Sequence, residues 1–299
     1  MKLPEPGILH AGASGWAHSQ WQGLFYPGQT RAGVHQLERY AQFFNSVEIT
    51  ASLYGPLKPE LSRLWAKLAS GNRDFQFVAR TWRHLMEARA LDAQEVMSFR
   101  AGLQPLADAG RLGAVLLEFP ANFRYDADNR QRLVALRRAL SPFPLVAEFR
   151  HDSWMREEAL GTLIDFHIGF ANLDQAEFTR AMPPTAFLTS PVGYVRLRGR
   201  NPLGPNASPK LDPYLYCPEQ LDQWAHRIRK VNRFAKRTFV VMANDSGARS
   251  LVNAFQMRQL LGLGDGRAPK ALVERFSREL AWVRPDQPMQ TSLFAAQAA

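Results

Sequence analysis

The residues of this chain best suited to chemistry sit in short strings at the ends of apolar runs. VAEFRH gathers Glu148, Arg150 and His151, YVRLRGR gathers Arg196, Arg198 and Arg200, and SVEIT carries Glu48 and Thr50. In an extended strand, side chains two apart share a face. Glu148 and Arg150 therefore point one way while Ala147 and Phe149 point the other. Arg196 shares a face with Arg198, and Glu48 is flanked by Val47 and Ile49. Charge is sent to one side of a sheet and apolar bulk to the other. Two chemistries suit such a set. Glu48, Glu148 and Asp245 are candidate bases or ligands for a divalent metal ion, with His151 as a proton carrier. Arg80, Arg150, Arg196, Arg198 and Arg200 are candidate clamps for oxyanions. Glu118 and Glu148, on adjacent predicted strands, could also work as an acid–base pair. A ring of such groups could equally satisfy itself by Glu–Arg pairing and do nothing more.

Other chemistries lack their signatures. There is no HxH or HExxH spacing, no GxSxG elbow, no Walker loop and no GxGxxG. The single cysteine, Cys217, excludes an internal disulfide and a thiolate zinc cluster, and it suits a reducing cytoplasm. MKLPEPGILH has no signal-peptide core, and no run of eighteen apolar residues spans a membrane. The expected location is cytoplasmic. The net charge of +10, from 37 Lys and Arg against 27 Asp and Glu, favours a phosphate-bearing small molecule or nucleic acid as partner. A generally Arg-rich composition would produce the same balance.

Positioning these residues requires strands. Eight apolar runs recur: Ile8–Gly12, Ser46–Thr50, Phe75–Arg80, Ala114–Pro120, Leu145–Arg150, Gly169–Asp174, Tyr194–Arg198 and Thr238–Asn244. Several, such as AVLLEF and TFVVMA, are nearly continuous, as parallel strands covered on both faces require. Between them lie helical patterns. Leu61, Leu64, Trp65 and Leu68 form one stripe, and Leu221, Trp224, Ala225, Ile228 and Val231 another; both are expected to face the core. Eight strand–helix units predict an α/β fold, a single-domain (β/α)8 TIM barrel over residues 1–282, with 283–299 a flexible C-terminal tail.

In such a barrel, ligands meet the C-terminal strand ends, and phosphates often sit after strands seven and eight. There the loops read RLRGRNPLGPN and NDSGARS, where Asn244 would help bind the ligand and Gly247 could let the backbone approach an anion. Alternatively, Asp245 or Ser246 caps the following helix. The first loop, AGASGWAHSQWQGLFYP, places Trp16, Trp21 and Tyr26 either in a core plug or along one wall of the cleft. An aromatic wall beside arginines suits a base or sugar ring attached to phosphate. Arg229, Arg233 and Arg237 recur every four residues, a spacing that could track phosphates along an outer helix.

The pieces GASGWAHSQWQGLFYP, LERYAQFFNSVEITASLY, VAEFRHDSW, YVRLRGR and ANDSGARSLVNAFQMRQLL resemble, in order, the YecE-like family, domain of unknown function 72. The resemblance spans about residues 8 to 262. It implies a TIM barrel and no assigned reaction. The family pattern has a threonine where this chain has Ala13, a lysine at Arg80, a glutamine at Glu118 and a histidine at Arg198. A Phe-Asn-Asn run is replaced by Met242-Ala243-Asn244.

The resulting expectation is a hydrolase acting on a phosphate-bearing substrate at the barrel mouth, by carboxylate acid–base or metal-assisted chemistry. The rival is a non-catalytic nucleic-acid-binding module. In that reading Gln290-Thr291-Ser292-Leu293-Phe294 resembles the short peptide with which replication and repair proteins dock on the sliding clamp.

Overall fold

Every expected run becomes a strand, with ends moved by one or two residues. In a computed structural model these are β1 (Ile8–Ala13), β2 (Ser46–Ile49), β3 (Gln76–Arg80), β4 (Leu112–Glu118), β5 (Leu145–Glu148), β6 (Ile168–Asp174), β7 (Val192–Leu197) and β8 (Arg237–Met242). The structure describes residues 5–27, 35–201, 214–244 and 246–286, so Asp245 and Gln290–Phe294 lie outside the described residues. The strands pair in parallel in the order β1-β8-β7-β6-β5-β4-β3-β2. The helices α1 (Gln36–Ala41), α2 (Pro59–Leu68), α3 (Arg83–Glu87), α4 (Ala93–Asp108), α5 (Ala127–Ala139), α6 (Glu157–Asp165), α7 (Pro218–Asn232) and α8 (Arg249–Leu260) lie between and after them. This is the (β/α)8 barrel. No helix of the described residues is long and apolar enough to cross a membrane.

Closure between β1 and β2 uses side chains where the other strand pairs use a backbone ladder. The Asn45 amide accepts from Ala11 N–H at 2.9 Å and donates to the Leu9 carbonyl at 2.9 Å, copying a strand edge. The Tyr40 hydroxyl accepts from Ala13 N–H at 2.7 Å and donates to the Ser46 carbonyl at 3.1 Å. Only at the mouth does backbone meet backbone, where Gly15 N–H donates to the Glu48 carbonyl at 2.8 Å. A Cβ at Gly12 would collide with the Ser46 carbonyl, so the seam requires glycine there.

The interior of the barrel is layered. Val78, Ala114, Leu116, Val146, Ala171, Tyr194, Phe239 and Val241 form an apolar plug, separate from the larger core between strands and helices. Below it, His10 stacks on Phe239 with ring centroids 5.0 Å apart. Above it, the strand ends carry the charges. The outward alternation read from the sequence is obeyed: Val47, Ile49, Ala147, Phe149, Val195 and Leu197 all join the outer core.

Three expectations need correction. The α7 stripe is fully buried, but on α2 Leu61 and Leu64 are exposed while Ser62 and Trp65 are buried. The helix turns this face inward because Ser62 Oγ donates to the Gly102 carbonyl of α4 at 2.5 Å, a close contact that a leucine would prevent. The Arg229–Arg233–Arg237 stripe does not exist: α7 ends at Asn232, and Arg237 belongs to β8 and donates to Gln76. Finally, residues 283–286 do not belong to a tail. Val283 is buried, and β10 (Arg284–Asp286) pairs with β9 (Arg267–Pro269), the two flanking α9 (Lys270–Arg275).

Candidate functional site

Interior-facing positions on five strands bring seven charged groups together at the mouth. Arg196 is central. It donates to Glu48 at 2.9 Å and to Glu148 at 2.7 Å, tying β7 across the barrel to β2 and β5. Glu48 also accepts from Ser14 Oγ at 2.7 Å and from the Tyr194 hydroxyl at 2.9 Å. Arg198, just past the end of β7 and nearer solvent, donates through Nη1 to both Glu118 and Glu148 at 2.7 Å. Glu118 and Glu148 are register partners on β4 and β5, so this guanidinium separates two carboxylates that would otherwise repel. Glu118 takes further pairs from Arg80, from Arg150 at 3.4 Å and from Arg196 at 3.6 Å.

The electrostatics follow from this packing. Burial opposes the charge on Glu118 and Glu148, but Arg196 and Arg198 outweigh it and hold both carboxyls below the ordinary range. Burial likewise opposes the charge on Arg196, and Glu48, Glu148 and Glu118 overcome it, raising the pKa further. Arg150 has less support: burial and the neighbouring Arg198 lower its pKa. Burial and Glu48 push the Tyr194 hydroxyl well up, so it stays a donor.

A second group adjoins the ring. Arg200 Nε donates to both oxygens of Asp174 at 3.0 and 3.1 Å, and the Tyr216 hydroxyl bonds Asp174 and accepts from Gly199 N–H. Gly199 has φ +87° and is pressed against Tyr214, a conformation and clearance that favour glycine.

Other expected site residues are placed elsewhere. Trp21 and Tyr26 do not wall the cleft. Trp21 is fully buried and stacks on Tyr40 at a 10° interplanar angle, and the buried Tyr26 hydroxyl donates to the Trp16 carbonyl. Trp16 is 8 % exposed and packs edge-on to Trp65. The loop is a plug because its apolar rings reach α1 and α2 rather than the barrel axis. Asn244 follows the end of β8 and turns outward, donating to the Tyr214 carbonyl and to Asn253 of α8. The Gly247 N–H is taken by the Gln20 side chain at 2.7 Å, and Arg249 folds back on the Ser246 carbonyl. Ala248 is the N-cap of α8 and makes no side-chain cap, so Ser246 does not serve that role. His151 caps the turn at 152–155 through Ser153 and lies 3.4 Å from Asp152; burial lowers its pKa.

The ring does not suit a metal. Each carboxylate already faces guanidiniums, and among the described residues no group of three or more His, Cys, Asp or Glu side chains could hold one. Sequence reasoning passed over Tyr194. Strand parity carried a signal for Tyr194, which shares its face with Arg196 and Arg198. Tyr216 had none, since its contact with Asp174 joins positions far apart in the sequence.

Comparison with known proteins gives this barrel its relatives. UPF0759 protein YecE of Escherichia coli K12 is 32% identical over 119 residues, 39% of either chain, so the match spans well under half of that protein's length. The crystal structure of a DUF72 family protein from Thermotoga maritima superposes with a TM-score of 0.76 at 26% identity, covering 85% of this chain and 99% of that one. A DUF72 family protein from Enterococcus faecalis has a TM-score of 0.75 at 22% identity, over 86% and 96%. The family described as protein of unknown function DUF72 matches residues 10–275, and the chain belongs to it.

Proposed function

We propose that the barrel mouth binds a phosphate-bearing ligand, with Arg198, Arg80 and Arg150 as the contacting groups. One observation carries this reading: the ring holds more positive charge and more donors than its own carboxylates use. Arg80, Arg150, Arg196 and Arg198 face Glu48, Glu118 and Glu148 among the described residues. Four guanidiniums offer roughly twenty N–H donors, against roughly twelve lone-pair positions on three carboxylates. Two of those positions are already taken by Ser14 and Tyr194. Nε of Arg80, Arg150 and Arg196 is buried without a hydrogen-bond partner, so the ring leaves its own guanidiniums incompletely satisfied. Arg198 keeps 27% of its side chain exposed and so faces the approach.

The same geometry favours recognition over proton transfer. Carboxyls held below the ordinary range, as Glu118 and Glu148 are, have no proton to give at neutral pH and little basicity. A hydrolytic step at this mouth would draw on the ring as a clamp for charge developing on phosphoryl oxygens. Calorimetric titration with inorganic phosphate, a nucleotide and a short oligonucleotide tests the reading and separates the small-molecule and nucleic-acid sources. At least one should bind, with affinity reduced about tenfold or more by Arg198→Ala. Binding that is unaltered in that variant would place the site elsewhere.

A further inference from the structure

Glu118 differs from the other two carboxylates of the ring. Glu48 and Glu148 are completely buried, whereas Glu118 keeps 18% of its side chain exposed at the solvent side. Its oxygens meet Arg80, Arg150 and Arg198, the guanidiniums that an incoming anion would use. Glu118 is thus a resident anion in the path of a visiting one. Any ligand oxyanion sharing those N–H groups comes to lie beside this carboxylate, and the repulsion grows with ligand charge. Without Glu118, the described ring would carry two positive charges in excess; with it, one.

Resting on the binding reading above, we infer that Glu118 makes the mouth select a singly charged phosphate, the phosphodiester class, over a doubly charged phosphomonoester. The device is a repulsive one: it costs affinity for both ligands and more for the dianion, and it leaves one positive charge in excess, which a monoanion neutralises and a dianion overfills in a site where uncompensated charge is costly to bury. The group is fixed in place by four guanidiniums, so the discrimination is built into the folded barrel.

A matched pair of ligands reads this directly. Phenyl phosphate is a dianion at pH 8, its second ionisation lying near pH 6, and methyl phenyl phosphate is a monoanion throughout. The unaltered protein should bind the diester about tenfold more tightly at pH 8. The preference should shrink to within about twofold at pH 5, where the monoester has taken up its proton. Glu118→Gln should shift the ratio about tenfold toward the monoester. Equal or tighter binding of the dianion by the unaltered protein at pH 8 overturns the inference, as does a folded Glu118→Gln variant with an unchanged ratio. If that variant does not fold, the pH comparison on the unaltered protein decides alone. If neither ligand binds the unaltered protein while a nucleotide or oligonucleotide does, the selection inferred here is overturned and the binding reading stands; if none of these binds, the binding reading itself fails; if both phenyl phosphates bind without discrimination, only the role of Glu118 is lost.

Discussion

The two ends of the barrel treat ionisable groups in opposite ways. At the C-terminal mouth each of seven acidic and basic side chains sits against one of opposite sign. At the N-terminal end His10 is 4% exposed, stacks on Phe239 and has no carboxylate partner among its hydrogen bonds. Burial, with smaller opposing contributions, lowers its pKa from 6.5 to about 4, and the ring stays neutral. Between the two ends lies the apolar plug. Charge therefore survives inside this cylinder only where partners are arranged for it.

Breaking the arrangement at its centre should have the largest effect. Arg196→Met leaves Glu48 and Glu148 buried without their shared partner, and the expected loss is about 3–5 kcal/mol of folding stability, read from the denaturant midpoint. Adding Glu148→Gln to that variant should recover part of it. A loss below about 1 kcal/mol would mean that water reaches the ring and that the two ends are less different than their contacts indicate.

The pH dependence of stability sharpens the comparison, because the two ends act in different windows. His10 has a folded pKa below its unfolded value, so the unfolded chain binds a proton between about pH 6.5 and 4 that the folded chain refuses. Stability then rises with pH across that window, by roughly 3 kcal/mol at most. The depressed carboxyls contribute stability that is complete above the ordinary carboxylate pKa of about 4.3 and is lost as pH falls below it. His10→Gln should reduce the slope of the upper window, to which His151 also contributes, and leave the lower one. Chemical denaturation between pH 3 and 8 measures both, and an unchanged upper slope in the variant would remove His10 as its cause.

The sequence made one end much easier to read than the other. Parity on β2, β5 and β7 placed Glu48, Glu148, Arg196 and Arg198 in the barrel because the alternation is a local property of each strand. What the ring does with its charges was not local. Glu118 and Arg80 meet across strands whose stagger no single segment specifies, and the pairing of all seven groups appears only once the cylinder closes. The first loop failed for a related reason: Trp21 and Tyr26 looked like a wall because sequence does not say which way a glycine-rich turn folds its rings. Leu61 and Leu64 fitted a core stripe by spacing, yet a serine–carbonyl contact with α4 fixed the rotation of the helix. The basic composition pointed to an anionic partner, but several arginines serve the scaffold. Arg111, Arg132, Arg137, Arg229 and Arg258 all donate to backbone carbonyls, many of them at element ends.

These scaffold arginines supply the finest test of what the mouth is for. Arg132 donates to the carbonyls of Leu85, Met86 and Ala88, closing the end of α3. Arg132→Ala strands those acceptors and should cost about 1–3 kcal/mol of stability with no change in phosphate affinity. Arg198→Ala should do the reverse. Glu118 retains Arg80, Arg150 and Arg196, and Glu148 retains Arg196 and Arg150, so the stability loss should stay under about 1 kcal/mol. The affinity loss should still reach about tenfold, or 1.4 kcal/mol. Measured side by side by thermal unfolding and calorimetry, the two substitutions separate a guanidinium that holds the fold from one that faces a ligand. If both lower stability alike and neither changes binding, Arg198 belongs with the scaffold, and the ring is a self-contained ionic plug.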